Sequence, residues 1–330
     1  MTRLIEILQT ILPVVIMLGI GMICRSRKII SREGIGALKS VVVNIALPAV
    51  LLGAFATTKY TFMDVVIPLM MFGICVAAWA LGKCAARLFH LTSRFVPFLT
   101  TGFEAGMLGY ALFNMLYGSD RVADFAWIDL GQVLFVFTLY KILLGLSGNE
   151  AEGAVGKPAD PDGKMPDPAR NPSLSALLRE MLLSPIIIAI AAGVLLGATG
   201  IYQAMASSGI SRIFDACTDF VSAPTSAIIL LTIGYDLVLD DIPWLDTGKV
   251  VALRLVIMLA LRTALILLLN ALWPQANLTA AINVMFILPP PFVLPVFADD
   301  ADQRVYVSSA LSVSTLAAIA GFAVLAAVGM

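Results

Sequence analysis

In a chain that is otherwise strongly apolar, few residues can hold or move charge: Glu104, Asp129, Gln132, Arg262, Asn283 and Asn44. Glu104 lies in TTGFEAGMLGYALFNMLYG (100–118), about seven residues into an apolar run and so roughly 10 Å deep at 1.5 Å per residue. A carboxylate at that depth is costly unless paired or protonated, and an ionisable group inside an apolar run is by default a functional hypothesis. Two chemistries fit: a group that takes up and releases a proton, or a structural partner for a cation. Arg262, inside the apolar run 249–270, is the expected partner; the alternative is that its planar guanidinium meets a ligand carboxylate. Asp129 and Gln132 stand three residues apart, hence on one helical face. They are expected to line the same cavity as Glu104, although Asp129 also reads as an interfacial residue near the outer edge.

Residues 283–300 read NVMFILPPPFVLPVFADD, an apolar stretch interrupted by Pro289, Pro290, Pro291 and Pro295. Proline removes a backbone donor and clashes one turn back, at about 3 kcal/mol in a helix interior. In lipid the freed carbonyls have no water to turn to, so the break must be covered by protein or line a wet cavity. Gly106 and Gly109 mark a corresponding weak point in the Glu104 stretch, unless they serve only close helix packing. Broken helices expose half-helix ends, with partly positive amides on one side and partly negative carbonyls on the other. Two such breaks side by side can hold a carboxylate without a fully buried cation. Asn283 adds either a hydrogen bond to that site or a link between helices. Asn44, one turn before Pro48, is read as satisfying carbonyls at a kink, with a place in the site as the alternative.

These residues need a membrane scaffold. The chain has 330 residues, 60% hydrophobic and 13% charged, with a mean hydropathy of +0.95; soluble domains are about 45–50% apolar and about 25% charged. A net charge of −1 excludes a nucleic-acid-binding face. Cys24, Cys75, Cys84 and Cys217 have no metal or disulfide spacing and are expected to be packing residues. Windows of about 20 apolar residues give ten spans, at 4–24, 40–57, 64–86, 97–117, 125–146, 182–200, 215–235, 249–270, 278–298 and 304–329. With the N-terminus outside, sixteen Lys and Arg fall on the inner side and four, Arg3, Lys59, Arg121 and Arg212, on the outer. That split places both termini outside. The first span carries Arg25, Arg27 and Lys28 behind it rather than ahead, the reverse of a signal peptide.

Residues 147–173, SGNEAEGAVGKPADPDGKMPDPARNPS, are too rich in Gly, Pro and Asp to pack a core and read as a disordered cytoplasmic linker. It separates a first five-span repeat (1–146) from a second (174–330), and an odd-numbered repeat must insert its second copy inverted. ILPVVIMLGIGMI (11–23) matches LSPIIIAIAAGVLL (183–196), and NIALPAVLLGAF (44–55) matches FVSAPTSAIILLTIG (220–234). The fourth and ninth spans, the two interrupted ones, are then partners.

NIALPAV (44–50), EAGMLGYAL (104–112), SPIIIAIAAGVL (184–195) and LPPPFVLPVFADD with VSSALSVSTL (288–300, 307–316) resemble the auxin efflux carrier family, whose bacterial members include malonate and malate permeases. The resemblance covers nearly the whole chain outside the linker. It implies an all-α integral membrane protein of two inverted five-helix repeats, with crossed, broken fourth and ninth helices. It also implies elevator-type carriage of a small organic anion such as a mono- or dicarboxylate, in a homodimer in the inner (plasma) membrane. The chain departs from the family where Glu104 and Ala111 replace an expected Asn and Pro. The coupling ion, H+ or Na+, is left open, with Glu104 the place a proton would be carried. No cofactor is expected.

The rival reading is an intramembrane, Mg2+-dependent enzyme of the prenyltransferase type, using Asp236, Asp240 and Asp241 with Asp299, Asp300 and Asp302. Neither cluster has the aspartate-rich spacing of such enzymes, and acidic loop ends are also what solvated helix termini look like. A transporter rather than an enzyme is therefore expected.

Overall fold

The computed structural model describes residues 2–58, 63–144, 147, 179, 182–237, 242–274, 277–298 and 301–329. All regular structure among them is helical. The expected linker, apart from Ser147, lies outside the described residues.

Helix α1 spans Thr2–Ser26. Helix α2, Arg32–Val41, starts at Ser31, whose hydroxyl accepts from the Gly34 amide at 3.1 Å, the usual way an orphan N-terminal amide is satisfied. A wide π turn, Val42–Ala46, joins it to α3, Leu47–Thr57, with Pro48 in the first turn. Because Arg32–Thr57 is one helical span, the missing proline donor frees a carbonyl in the preceding turn, and the widened turn makes room for the ring. Helix α4 runs Met63–Leu88. Then come the four-residue α5, Val96–Leu99, a π turn at Ala105–Gly109, and α6, Tyr110–Tyr117. Helix α7, Val122–Phe135, continues into a third π turn, Val136–Tyr140.

The second part contains α8 (Pro185–Ala198), α9 (Ile201–Ser208), α10 (Ser211–Ser222), α11 (Thr225–Asp236), α12 (Trp244–Leu272), α13 (Thr279–Ile287) and α14 (Ala301–Gly329). Seven helical stretches are long and apolar enough to cross a membrane, or eight if α8 and α9, bent by 67°, form one span. The expected spans 97–117 and 278–298 are not among them, because each is broken into pieces too short to pass. The expected span from 249 corresponds to a helix that begins at Trp244, a difference that matters at the site.

Packing between the parts is reciprocal. Helix α1 lies along α11, and α8 along α3. Backbone contact makes the first pairing close: a Cβ on Gly21 would meet the Leu231 carbonyl at 2.2 Å, and one on Gly234 would meet the Leu18 carbonyl at 2.1 Å. Only glycine allows that approach. The main core cluster includes Phe55, Phe95, Phe103, Phe113, Phe125 and Phe135, all fully buried, and a smaller one gathers Cys24, Ile35 and Tyr235. Cys24 and Cys75 are buried packing residues as expected, but Cys84 and Cys217 are exposed on the helix surface.

Candidate functional site

The first break runs from the end of α5 to Glu104. Thr100 and Thr101 turn away from the helix: the Thr101 hydroxyl donates to the Cys75 carbonyl on α4 at 2.7 Å. Gly102 adopts φ +68°, left-handed backbone that a side chain would strain. The second break follows α13. Leu288 leaves the helix in extended conformation, and a turn of 3-10 helix, Leu294–Phe297, re-forms after the three prolines.

The two breaks meet. The Glu104 amide donates to the Pro289 carbonyl at 2.9 Å, and the Phe292 amide donates to Glu104 Oε2 at 2.6 Å. Glu104 Oε1 accepts from the Met107 amide at 3.3 Å, capping the helix that continues through α6. A Cβ on Gly102 would lie 2.9 Å from Cγ of Pro291, so the glycine of one break is in contact with a proline of the other.

Behind both breaks sits Arg254, 3% exposed, on α12. Its Nη1 donates to the carbonyls of Leu99 (3.0 Å) and Thr101 (3.4 Å), and its Nη2 to those of Gly102 (2.8 Å) and Leu288 (2.9 Å). One guanidinium thus satisfies carbonyls that both interrupted helices leave open. Its forked donors are suited to this in a way an ammonium is not. The Phe103 ring centroid lies 5.5 Å from the guanidinium carbon.

In front of the breaks is a cavity of about 530 Å³. Glu104, Gly106, Asp129, Gln132 and Pro291 line it, with Lys39, Lys141 and Asp236 contributing charge and Phe103, Met107 and Phe292 among its apolar walls. Each of the three π turns contributes wall residues: Val43, then Gly106 and Met107, then Val136 and Phe137. Such turns often mark functional places in helices. Asp129, 3% exposed, accepts from the Tyr110 hydroxyl at 2.9 Å and from Gln132 Nε2 at 3.1 Å; Gln132 Nε2 also donates to the Phe103 carbonyl at 3.0 Å. Lys39 pairs with Asp236, joining α2 to the end of α11.

Other expected site residues lie elsewhere. Asn283 accepts from Arg262 Nε at 2.8 Å, tying α13 to α12. The expected Glu104–Arg262 pair is therefore not formed: Arg262 meets Asn283, and Glu104 meets backbone amides. Asn44 is exposed and donates to the Ser40 carbonyl at 2.8 Å, a local kink contact. Pro289 and Pro290 are buried in the break itself, and Gly109 packs against Phe125 and Leu288. Of the aspartates considered for Mg2+, Asp240, Asp241, Asp299 and Asp300 lie outside the described residues, and Asp236 is held by Lys39.

The sequence reading missed Arg254 as a site residue, treating Arg262 as the basic residue deep in that span. Because α12 starts at Trp244, Arg254 is about ten residues inside it, roughly 15 Å at 1.5 Å per residue. Its presence within the hydropathy window 249–270 was the available signal.

Two broken helices thus touch at the wall of one cavity in a multi-span chain. A family model described as "Membrane transport protein", of the auxin efflux carrier type, matches residues 6–325. The chain belongs to this membrane transport family. The match agrees with the resemblance carried by the stretches around Glu104 and Pro289–Pro291. No curated protein matches the transporter's sequence. Family membership supports transport across a membrane rather than the enzymatic alternative.

Proposed function

We propose that this transporter is a secondary carrier of a small organic anion, a mono- or dicarboxylate, with its site at the crossover of the two broken helices. The observation that carries the reading is the contact between the breaks, Glu104 with Pro289 and Phe292, beside a cavity of about 530 Å³ that Glu104 and Phe292 line. Half-helix amides there favour an anion, and Lys141 adds a positive charge to a wall in which Lys39 is paired with Asp236.

The family resemblance further implies alternating access of elevator type, between two inverted repeats, 1–146 and 174–330, joined by a cytoplasmic linker at 147–173. Supporting this, the first helix of each part packs on the second helix region of the other: α1 on α11, and α8 on α3. Gly21 and Gly193, equivalent in the internal sequence match, both make close contacts with the opposite part. The charge split places both termini on the extracytoplasmic side of the inner membrane. A homodimer and coupling to H+ or Na+ complete the proposal.

The experiment is counterflow in proteoliposomes preloaded with unlabelled carboxylates, following entry of the labelled compound. Saturable exchange of at least one mono- or dicarboxylate is expected. Exchange no faster than in empty liposomes across the panel, with correctly inserted protein, rejects the anion-carrier reading.

A further inference from the structure

Glu104 occupies the place that a ligand carboxylate would need. Its two oxygens accept from the Met107 amide at the start of the 105–117 helix and from the Phe292 amide across the other break, at 3.3 and 2.6 Å. Both Met107 and Phe292 line the cavity. They are among the donors that the crossover offers to an anion, and a carboxylate of the chain already holds them.

The neighbouring polar groups do not supply substitutes. Asp129 on α7 is itself an acceptor, served by Tyr110 on α6 and by Gln132. Gln132 uses its amide nitrogen on Asp129 and the Phe103 carbonyl. Lys39 on α2 is engaged by Asp236 of α11, and Arg254 on α12 donates to the carbonyls of both breaks. Lys141, just beyond the π turn at 136–140, also lines the wall and lies over the Phe137 ring, its Nζ 4.6 Å from the centroid. Gln132, 5% exposed, leaves Oε1 without a donor among the described residues. The wall therefore keeps an acceptor that still lacks an O–H or N–H.

From this geometry we infer that Glu104 is a tethered competitor for the carboxylate site. A ligand carboxylate gains the Met107 and Phe292 amides when Glu104 releases them and takes a proton from the aqueous side. This rests on the organic-anion reading of the crossover. The step balances: one carboxylate binds, one O–H forms on Glu104, and the net charge of the cavity is unchanged. Uncompensated, the displaced carboxylate would remain charged in an apolar wall without its amides, which is unfavourable. Asp129 keeps its own two donors throughout, so Glu104 is the carboxylate that the ligand affects.

The test uses purified full-length protein in weakly buffered detergent with a pH-indicating dye, titrated with acetate, malonate and benzoate at pH 5.5 and pH 8. Thermal shift and calorimetry report binding. For any carboxylate that binds, wild type should take up as much as about one proton per ligand at pH 8 and less at pH 5.5, and its affinity should fall by up to about tenfold per pH unit over the range in which protons are taken up. Glu104→Gln should bind with no proton uptake and with an affinity independent of pH, tighter than wild type at pH 8. Should Glu104→Gln not fold, Glu104→Asp, one methylene shorter, should keep proton uptake but bind more tightly than wild type at pH 8, because it reaches the two amides less well. Proton uptake unchanged in Glu104→Gln overturns the inference. So does a folded Glu104→Gln that binds at neither pH, which makes Glu104 a staple between the breaks, or a Glu104→Asp that matches wild type at pH 8. If neither wild type nor any variant binds any of the carboxylates, the anion reading itself fails, and the inference fails with it.

Discussion

The two breaks at the crossover are made by opposite means. The first is opened by an absence: Gly102 has no side chain, and its φ of +68° is one that other residues resist. The second is opened by a presence, the three consecutive rings of Pro289, Pro290 and Pro291, which remove donors from the backbone. Either alone would leave carbonyls unsatisfied in an apolar setting. They are tolerable together because one side chain, Arg254, serves both, taking Leu99, Thr101 and Gly102 from the first and Leu288 from the second. A break in this fold is thus a cooperative object: its local cause lies in the sequence of each helix, and its stabilisation comes from a third helix.

The strongest way to break the comparison is to remove the shared partner. Arg254→Met fills similar volume but leaves the four carbonyls without donors, each loss costing about 1–3 kcal/mol where no water reaches. A drop in melting temperature large enough to reduce yield in detergent is expected. Arg254→Lys should recover only part of it, since an ammonium cannot reproduce the fork. If Arg254→Met melts like wild type, the carbonyls have other partners and the breaks are independent.

Next in size is the asymmetric test. Replacing Pro289, Pro290 and Pro291 together by Ala restores three donors and lets the second stretch close into helix. The folded protein should keep or gain thermal stability while losing carboxylate exchange, because closure withdraws the Phe292 amide and Pro289 carbonyl from Glu104. Exchange at the wild-type rate would mean the site lies elsewhere.

Gly102→Ala tests the first break. Left-handed backbone at a non-glycine residue costs about 1–3 kcal/mol, and the new methyl would also meet Pro291, 2.9 Å away at Cγ. Coupling between the breaks then predicts that Pro291→Ala added to Gly102→Ala relieves part of the loss, a non-additivity of about 0.5 kcal/mol or more in a double-mutant cycle. Strict additivity would show that the two breaks touch without influencing each other.

How much of this was legible follows from the same contrast. Prolines in an apolar run announce a break because their effect is local and invariant, and Glu104 announced itself because a carboxylate there must be satisfied. What satisfies it was not legible: its partners are the backbone amides of Met107 and Phe292, which carry no sequence signature, and not the cation Arg262. Arg254 was obscured by a helix boundary, since a start five residues later places it near the membrane edge. The π turns at 42–46 and 136–140 insert a wide turn without any residue that demands one, apart from Pro48 just beyond the first. Asn283 and Asn44 could be recognised as polar groups needing partners, but whether a partner is a ligand, a neighbouring helix or the preceding turn is decided by tertiary packing.

The smallest effect belongs to the second arginine of α12, and it sharpens the comparison by contrast with Arg254. Among the described residues Arg262 donates to one side chain, Asn283, and both residues are only partly buried. Arg262→Gln leaves Asn283 with an amide neighbour that can still hydrogen-bond, so a loss of about 0.5–1.5 kcal/mol, that of one ordinary hydrogen bond, is expected. Because neither residue lines the cavity, exchange rate and its pH dependence should stay as in wild type. The companion Asn283→Leu should cost slightly more, since it leaves a partly buried guanidinium without that acceptor, and the pair of substitutions together should cost less than their sum. A change in the pH profile of exchange in Arg262→Gln would place Arg262 in the charge balance of Glu104 after all, and would remove the distinction drawn between an arginine that supports the breaks and one that ties two helices.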